Sequence, residues 1–165
     1  MSKSSRDKLS ESLSKLPNVQ PIKSKDLKIA EGDDPAIAII FDENEKIYLG
    51  SKRKKKDEKD SEQIFFPLLK DTWLLPSRPV VTVDSGAVKF VVGGANIMRP
   101  GITKIEGDFN AGDLVVVKEE KYGKAISVGV AKASKPEVEE AKKGVVIENL
   151  HYVGDKYWDM LKEIS

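Results

Sequence analysis

The segment 83–102 constrains the fold of this chain more than any other part of the sequence. Four glycines, a proline and two cations are set in and around a compact apolar run there. Glycine permits positive φ angles and close backbone approach, and Pro100-Gly101 is a turn signal. Lys89 and Arg99 lie near this bared backbone, an arrangement suited to phosphate. By themselves, however, these residues fit an ordinary turn in a β-rich core more often than a binding loop.

The N-terminal part of the chain predicts one helix and a small antiparallel sheet. Leucines recur at helical spacing in residues 4–16, which predicts an amphipathic helix that ends at Pro17. Residues 36–41 and 47–49 are strand-like runs on either side of a polar turn and predict a β-hairpin. The alternating residues 25–30 predict a third strand beside it.

Residues 51–60 form the one low-complexity segment. Consecutive cations repel one another and do not build a packed element, so an exposed loop is predicted here. Such a loop could contact an RNA backbone nonspecifically through counterion release, or it could be a solvated loop whose neighbouring acids cancel part of its field. The cations concerned are Lys52, Arg53, Lys54, Lys55 and Lys56.

A proline-rich hinge predicts the domain boundary. Residues 65–75 are apolar, with about one turn of helix-like spacing, and they lead into Pro76-Ser77-Arg78-Pro79. Two prolines so close together make a stiff connection. We therefore predict a small α/β domain over residues 1–76 and a second domain over residues 77–165.

Beyond the hinge the apolar period shifts towards two, as in strands. A glycine-containing loop separates strand-like residues 114–117 from residues 126–130, which predicts a second hairpin. Ser134 and Glu137 make a capping-box pattern, so residues 134–143 predict a short helix. The chain then ends in a strand and a tail rich in tyrosine and tryptophan.

Residues 87–92 permit two interpretations. Their β-branched composition favours a strand. A helix is favoured instead by the placement of Phe90 and Val91 on one helical face, with Ser85 as N-cap and Gly93 as stop.

Composition excludes several classes of enzyme. The chain has no cysteine, which removes disulfides, thiolate metal sites and a cysteine nucleophile, and its single histidine, His151, excludes sites that need two imidazoles. Gly93-Gly94 is not followed by the Gly-Lys-Ser/Thr of a phosphate loop, and the dinucleotide fingerprint is absent. We therefore expect no enzymatic activity, no cofactor and no metal.

Net charge and hydropathy say less about the function of the chain than its residue composition does. The net charge of +1 arises from 28 basic and 27 acidic residues and carries no RNA-binding signature by itself. No apolar run approaches the roughly 18 residues of a membrane span, and the N-terminus lacks a signal-peptide core. A cytoplasmic protein is expected, and its lysine-rich, cysteine-free composition is compatible with an archaeal, thermophilic source.

Four blocks of the second half occur in an order that resembles the PUA domain, a small RNA-binding pseudo-barrel named after pseudouridine synthases and archaeosine transglycosylases. The blocks are residues 83–102, 112–117, 127–131 and 144–158. Residues 65–69 and 74–76 resemble the preceding domain of the MCT (multiple copies in T-cell lymphoma) proteins and their archaeal relatives. The resemblance implies an α+β fold: a small N-terminal α/β pre-PUA domain, then a PUA β pseudo-barrel with short helices, one of them at residues 87–92.

The resemblance also implies where RNA would bind. In PUA domains the helix, the glycine-rich loop after it and the last strand form the RNA-facing side. Here that side comprises Lys89, Gly93, Gly94, Asn96, Arg99, Gly101, His151, Tyr152, Lys156 and Tyr157. We expect Lys89 and Arg99 on one exposed surface, because cations near a glycine loop have no evident packing duty. His151 fits a structural role equally well.

The MCT resemblance implies a non-catalytic RNA-binding protein of the translation apparatus, acting in initiation, reinitiation or recycling. Its ligand would be tRNA or small-subunit rRNA, and its partners the small ribosomal subunit and a translation-factor protein. Residues 1–60 depart from the eukaryotic pattern and would carry much of the partner contact, so a heterodimer is not implied. The alternative is an RNA-targeting subunit of a tRNA or rRNA modification enzyme of the pseudouridine synthase or archaeosine transglycosylase type. A protein-interaction module without RNA binding is a third possibility.

Overall fold

The computed structural model describes residues 1–16, 19–53 and 63–164. The chain divides into two compact units. One consists of Met1–Ser77 together with the residues from Asp159 onward, and the other of Arg78–Trp158. Local sequence gives no sign that the end of the chain groups with the first unit. The α+β class agrees with the prediction.

The first unit is a four-stranded antiparallel sheet with one helix packed on it. Strand order follows chain order, β1-β2-β3-β4, as is usual for strands joined by short connections. The predicted helix, hairpin and third strand are all present. The elements are α1 (Lys3–Ser14), β1 (Lys28–Glu31), β2 (Ile37–Asp42), β3 (Ile47–Arg53) and β4 (Gln63–Pro67).

Helix α1 is capped at its start and buries its leucines. The Ser2 hydroxyl accepts a hydrogen bond from the Ser5 amide at 3.1 Å, which satisfies one of the free amides of the first turn. Leu9 and Leu13 are buried in a cluster with residues of the sheet, including Leu49. The amphipathic spacing therefore predicted the packed face correctly.

Two expectations for this unit need correction. Residues 65–67, the start of the apolar segment 65–75 with its helix-like spacing, belong to strand β4, because Phe65 pairs with Ser51 of β3 and the ladder satisfies the backbone. Lys52 and Arg53 belong to β3 rather than to a loop. The predicted contacts of Lys54, Lys55 and Lys56 lie outside the described residues.

A buried carboxylate fixes the chain after β4. Asp71 accepts hydrogen bonds from the amides of Tyr48 at 2.9 Å, Leu74 at 2.6 Å and Leu75 at 2.9 Å. Burial raises the pKa of Asp71, and the amide hydrogen bonds oppose that rise. The segment that leads to the hinge is thus positioned by polar contacts inside the first unit.

The second unit is built on a six-stranded mixed sheet with short helices. The strand order is β6-β10-β9-β8-β5-β7, with β5 parallel to β8 and every other pair antiparallel. A parallel pair needs a crossover, and the stretch between β5 and β8 supplies it. The elements are β5 (Val80–Val83), α2 (Ser85–Val91), β6 (Ile97–Met98), β7 (Ile102–Glu106), β8 (Leu114–Glu119), β9 (Ala125–Ala131), α3 (Lys135–Glu140) and β10 (Val145–Tyr152). The last helix, α4 (Lys156–Ile164), begins in this unit, and its residues from Asp159 onward group with the first unit.

The core of this unit lies between the sheet and its short helices. Val81, Val115, Val117 and Ile147 are completely inaccessible to solvent, and Val91 of α2 packs in the same cluster. A cluster of this size is the main source of stability in a small domain. It therefore provides a rigid base for the loops at the edge of the sheet.

Helix α2 resolves the ambiguity over residues 87–92. Its N-cap is Asp84, not Ser85, and the Asp84 carboxylate accepts the Ala87 amide at 2.9 Å. Phe90 does not share the buried face of Val91, since it is 59% exposed. Consecutive helix residues point in different directions, about 100° apart around the axis, so Val91 packs in the core while Phe90 faces solvent.

The other two helices differ in how well they were predicted. Ser134 and Glu137 form the predicted capping box at the start of α3. Helix α3 ends at Glu140 rather than at residue 143. Helix α4 was not predicted, although Asp155 precedes it directly and its carboxylate accepts the Trp158 amide at 2.8 Å, as an N-cap does.

Candidate nucleic-acid interface

Helix α2 presents a cation and an aromatic ring side by side. Lys89 and Phe90 are both exposed. The Nζ atom of Lys89 lies 5.2 Å from the centroid of the Phe90 ring, within the range of a cation–π contact. Phe90 was missed at the sequence level because its spacing matched an apolar core face.

The glycine loop follows directly. Gly94 has a φ of +96°, a conformation that side-chain-bearing residues rarely adopt. A Cβ atom at Gly94 would lie 3.0 Å from the Tyr152 hydroxyl oxygen. Gly94 and Tyr152, both predicted site residues, are therefore neighbours, while Gly93 is exposed at the end of the helix.

Asn149 ties this loop to β10. Its side-chain amide donates to the carbonyls of Val91 at 3.0 Å and Ala95 at 2.9 Å. Its backbone amide donates to the Asn96 carboxamide oxygen at 2.9 Å. The predicted residue Asn96 thus has one polar group engaged with the sheet. Asn149 itself was not predicted, although it lies in the last of the four blocks.

Arg99 has a packing duty that the sequence did not reveal. Its Nε donates to the Val138 carbonyl at 2.6 Å and its Nη1 to the Ile102 carbonyl at 3.2 Å. The side chain is half-buried. The expectation of a solvent-facing cation beside Lys89 is therefore not met, because two backbone carbonyls hold the guanidinium.

Gly101 allows its turn to lie close against the first turn of α2. Its carbonyl accepts the Asp84 amide at 2.9 Å, and a Cβ at Gly101 would lie 3.2 Å from the Cβ of Ala87. The turn at this glycine brings the chain up against the first turn of α2. Gly101 thus helps to fix the position of α2.

The predicted residues of the β10–α4 turn divide by burial. His151 is fully buried and Tyr157 is 4% exposed, with their rings edge-to-face at 5.7 Å. The Asp155 carboxylate contacts His151 Nδ1 at 2.9 Å and accepts the amides of Tyr152 at 3.0 Å and Trp158 at 2.8 Å. His151 and Tyr157 thus support the turn from inside, whereas Lys156 is exposed and Tyr152 half-buried.

The basic tract contributes two described cations, both in the first unit. Lys52 and Arg53 are exposed at the end of β3. Within residues 1–16, 19–53 and 63–164, no cluster of three histidine or acidic side chains could hold a metal ion. Across the same part of the chain, no helix combines the length and the apolar character that crossing a bilayer demands.

Comparison with known proteins identifies the second unit. Residues 79–153 match the PUA domain family. The fold of the whole described chain is similar to the crystal structure of a PUA domain from Aeropyrum pernix, with a TM-score of 0.75 and 27% identity over 98% of this chain and 89% of that one. The class of protein follows: this chain contains a PUA RNA-binding domain.

Three similar proteins show which PUA-domain proteins this chain is related to. The chain is 46% identical to an uncharacterized protein of Methanocaldococcus jannaschii over 52% of each chain. It is 36% identical to translation machinery-associated protein 20 of Saccharomyces cerevisiae over 63% of this chain and 65% of the relative. With malignant T-cell-amplified sequence 1-A of Xenopus laevis the identity is 40% over 58% and 55%.

These matches identify the chain as a PUA-domain protein related to the translation machinery-associated 20 and malignant T-cell-amplified proteins and to archaeal PUA proteins. The aligned region spans about half to two thirds of the length of these curated relatives.

Proposed function

We propose that this chain is a non-catalytic RNA-binding protein of the translation apparatus. It binds structured RNA, either tRNA or small-subunit rRNA, through its PUA unit, and it acts in initiation, reinitiation or recycling. The PUA match and the names of the translation-associated relatives support this proposal. The observation that carries the site is the exposed Lys89–Phe90 pair beside the glycine loop.

RNA recognition combines charge with stacking. Cations bind phosphates and 2′-hydroxyls, and aromatic rings stack on unpaired bases. Lys89 offers the cation and the exposed ring of Phe90 offers the platform. Gly93 leaves exposed backbone beside this pair, and Gly94 packs against the Tyr152 ring. Tyr152 adjoins the loop at Gly94, and we include the exposed Lys156 in the proposed RNA-binding face.

The test compares two chemically matched pairs. Lys121 lies over the ring of Tyr122 at the same 5.2 Å distance but in the β8–β9 hairpin. We expect the Lys89→Ala/Phe90→Ala variant to bind tRNA or an rRNA fragment about 10- to 100-fold more weakly, as for one lost charge contact and one lost stack. The Lys121→Ala/Tyr122→Ala variant should bind within about twofold of wild type.

Equal losses in both variants, or none in either, would show that the α2 edge, which consists of Lys89, Phe90 and the glycine loop, is not the recognition surface. Sedimentation separates the cellular roles. Co-migration with small ribosomal subunits in a sucrose gradient supports the translation role, whereas a stable complex with an RNA-modifying enzyme would assign the chain to that enzyme instead.

A further inference from the structure

The first unit contains a polar groove that the proposed function does not use. It has a volume of about 230 Å³ and lies within this unit, between the start of α1 and one face of the sheet. That is enough space for a small anionic group.

The groove forms at one end of the contact between α1 and the sheet, where the apolar face of α1 and the apolar face of β3 both give way to polar side chains. Alternation along β3 puts Leu49, Ser51 and Arg53 on one face of the sheet. Leu49 is in the core beneath α1, whereas Ser51 and Arg53 line the groove. Along α1, Leu9 is in the core, and Ser5, one turn earlier, lines the groove. The helix therefore seals only part of the sheet.

Small side chains form the floor of the open part. Ala38 of β2 pairs with Ser51 of β3, and the Arg53 amide donates to the Ala36 carbonyl at 2.9 Å. Both alanines line the groove. Larger residues at these positions would fill the space, so the volume follows directly from the sequence of β2.

Two cationic side chains line the groove, one from the helix and one from the sheet. Lys8 comes from α1 and Arg53 from β3, with the Gln63 amide and the Ser5 hydroxyl as further polar groups. In the part of the chain that the structure describes, neither cation makes a side-chain ion pair. Glu31 on β1 is the acidic residue in the lining. The charged side chains of the lining therefore sum to one positive charge, and the α-amino group of Met1, which also lines the groove, adds to it.

We propose that this groove binds a phosphate group, supplied either by an RNA backbone or by a free phosphate compound. Arginine and lysine are the side chains that bind phosphate through charge-assisted hydrogen bonds. The groove is in a different unit from the α2 edge, so it would be a second, separate contact. An RNA ligand would then be held through its backbone here.

The chain offers a matched control on the same strand. Lys52 neighbours Arg53 in β3 but faces the other side of the sheet and does not line the groove. We compare Lys8→Ala/Arg53→Ala, Lys52→Ala and Glu31→Gln in the full chain. The probes are an unstructured oligonucleotide, measured by fluorescence anisotropy, and inorganic phosphate, followed by amide chemical shifts.

With an RNA source, the double variant should bind the oligonucleotide about tenfold more weakly, and its slope of log K against log salt should fall by about 0.7 for each lost phosphate contact. Lys52→Ala should have less than a twofold effect, and Glu31→Gln should bind more tightly. With a free-phosphate source, phosphate shifts the Ser51 and Gln63 amides in wild type and in Lys52→Ala but not in the double variant, and oligonucleotide affinity is unchanged.

The proposal fails if Lys52→Ala weakens oligonucleotide binding as much as Lys8→Ala/Arg53→Ala does, since charge without the groove would then explain binding. It also fails if the double variant changes neither measurement. Because the phosphate titration needs no RNA, loss of the groove proposal remains distinguishable from loss of the proposed RNA-binding function.

Discussion

The two blocks that predicted the RNA-facing surface behave differently in the folded protein. In the α2 edge, Lys89 and Phe90 are exposed and make their polar and aromatic surfaces available. In the β10–α4 turn, His151 and Tyr157 are buried and interact with each other and with their own chain. Membership of a family motif therefore does not distinguish residues that contact a ligand from residues that hold the surface in place.

The difference has a topological cause. His151 lies in the part of β10 that pairs with β9, and its side chain is fully buried, with the Tyr157 ring edge-to-face against it. Helix α2 is a short crossover element with only one side against the sheet. Lys89 and Phe90 at its end therefore face solvent, whereas His151 in β10 is fully buried.

The largest effect should come from Asp155 in the buried block. Asp155→Ala removes the acceptor for His151 and for the amides of Tyr152 and Trp158. Leaving such partners unsatisfied should cost about 3 kcal/mol or more. Urea denaturation gives the value. RNA affinity at low temperature should stay near wild type, and a strong binding defect in a still-folded variant would break the comparison.

Asn149 should show an intermediate effect on both properties, because it links the two blocks. Asn149→Leu loses the hydrogen bonds to the carbonyls of Val91 and Ala95. We expect a stability loss of about 2 kcal/mol, together with weaker RNA binding, because the glycine loop is no longer held. Normal RNA binding by this variant would mean that loop order does not matter for recognition.

Arg99 lies in the same sequence block as the α2 edge. We nevertheless expect its substitution to lower stability, as for the buried residues of the β10–α4 turn. Arg99→Ala removes donors to the Val138 and Ile102 carbonyls, and we expect a loss of about 1–2 kcal/mol in thermal or urea unfolding. Arg99→Lys should not restore it, because one ammonium cannot reproduce the forked donor geometry. If instead Arg99→Lys were fully stable, the charge alone would be what matters.

Lys89→Ala/Phe90→Ala should change the free energy of unfolding by less than about 0.5 kcal/mol, since both side chains are exposed. Its effect should appear in RNA binding alone. A drop in melting temperature as large as that of Arg99→Ala would show that the α2 edge is also structural.

The smallest effect concerns pH. Amide hydrogen bonds from Tyr122 and Lys124 lower the pKa of Glu119. A carboxylate with a lowered folded-state pKa contributes stability above its unfolded pKa, about 4.3, and this contribution is lost as pH falls through the folded value. Glu119→Gln should therefore flatten the decline in stability below about pH 4.5. An unchanged acid profile would contradict this role.

Much of this fold was predictable where the pattern is local. The leucine spacing of α1, the β2–β3 hairpin and the Ser134–Glu137 capping box all depend on residues within a few positions of one another. The PUA identity also came from motif order. Of the candidate site, the sequence yielded Lys89 and the glycine loop but neither Phe90 nor Asn149.

Tertiary structure decided the rest, because burial and hydrogen-bond partners come from residues distant in the chain. Arg99 is held by a carbonyl 39 residues away and the α2 loop by Asn149, 54 residues from Ala95. Phe65 became part of a strand because β3 offered it a ladder. The sequence by itself determined which segments turn, alternate or cap. Only the packing of distant segments determined which of the motif's side chains are exposed and which support them from within.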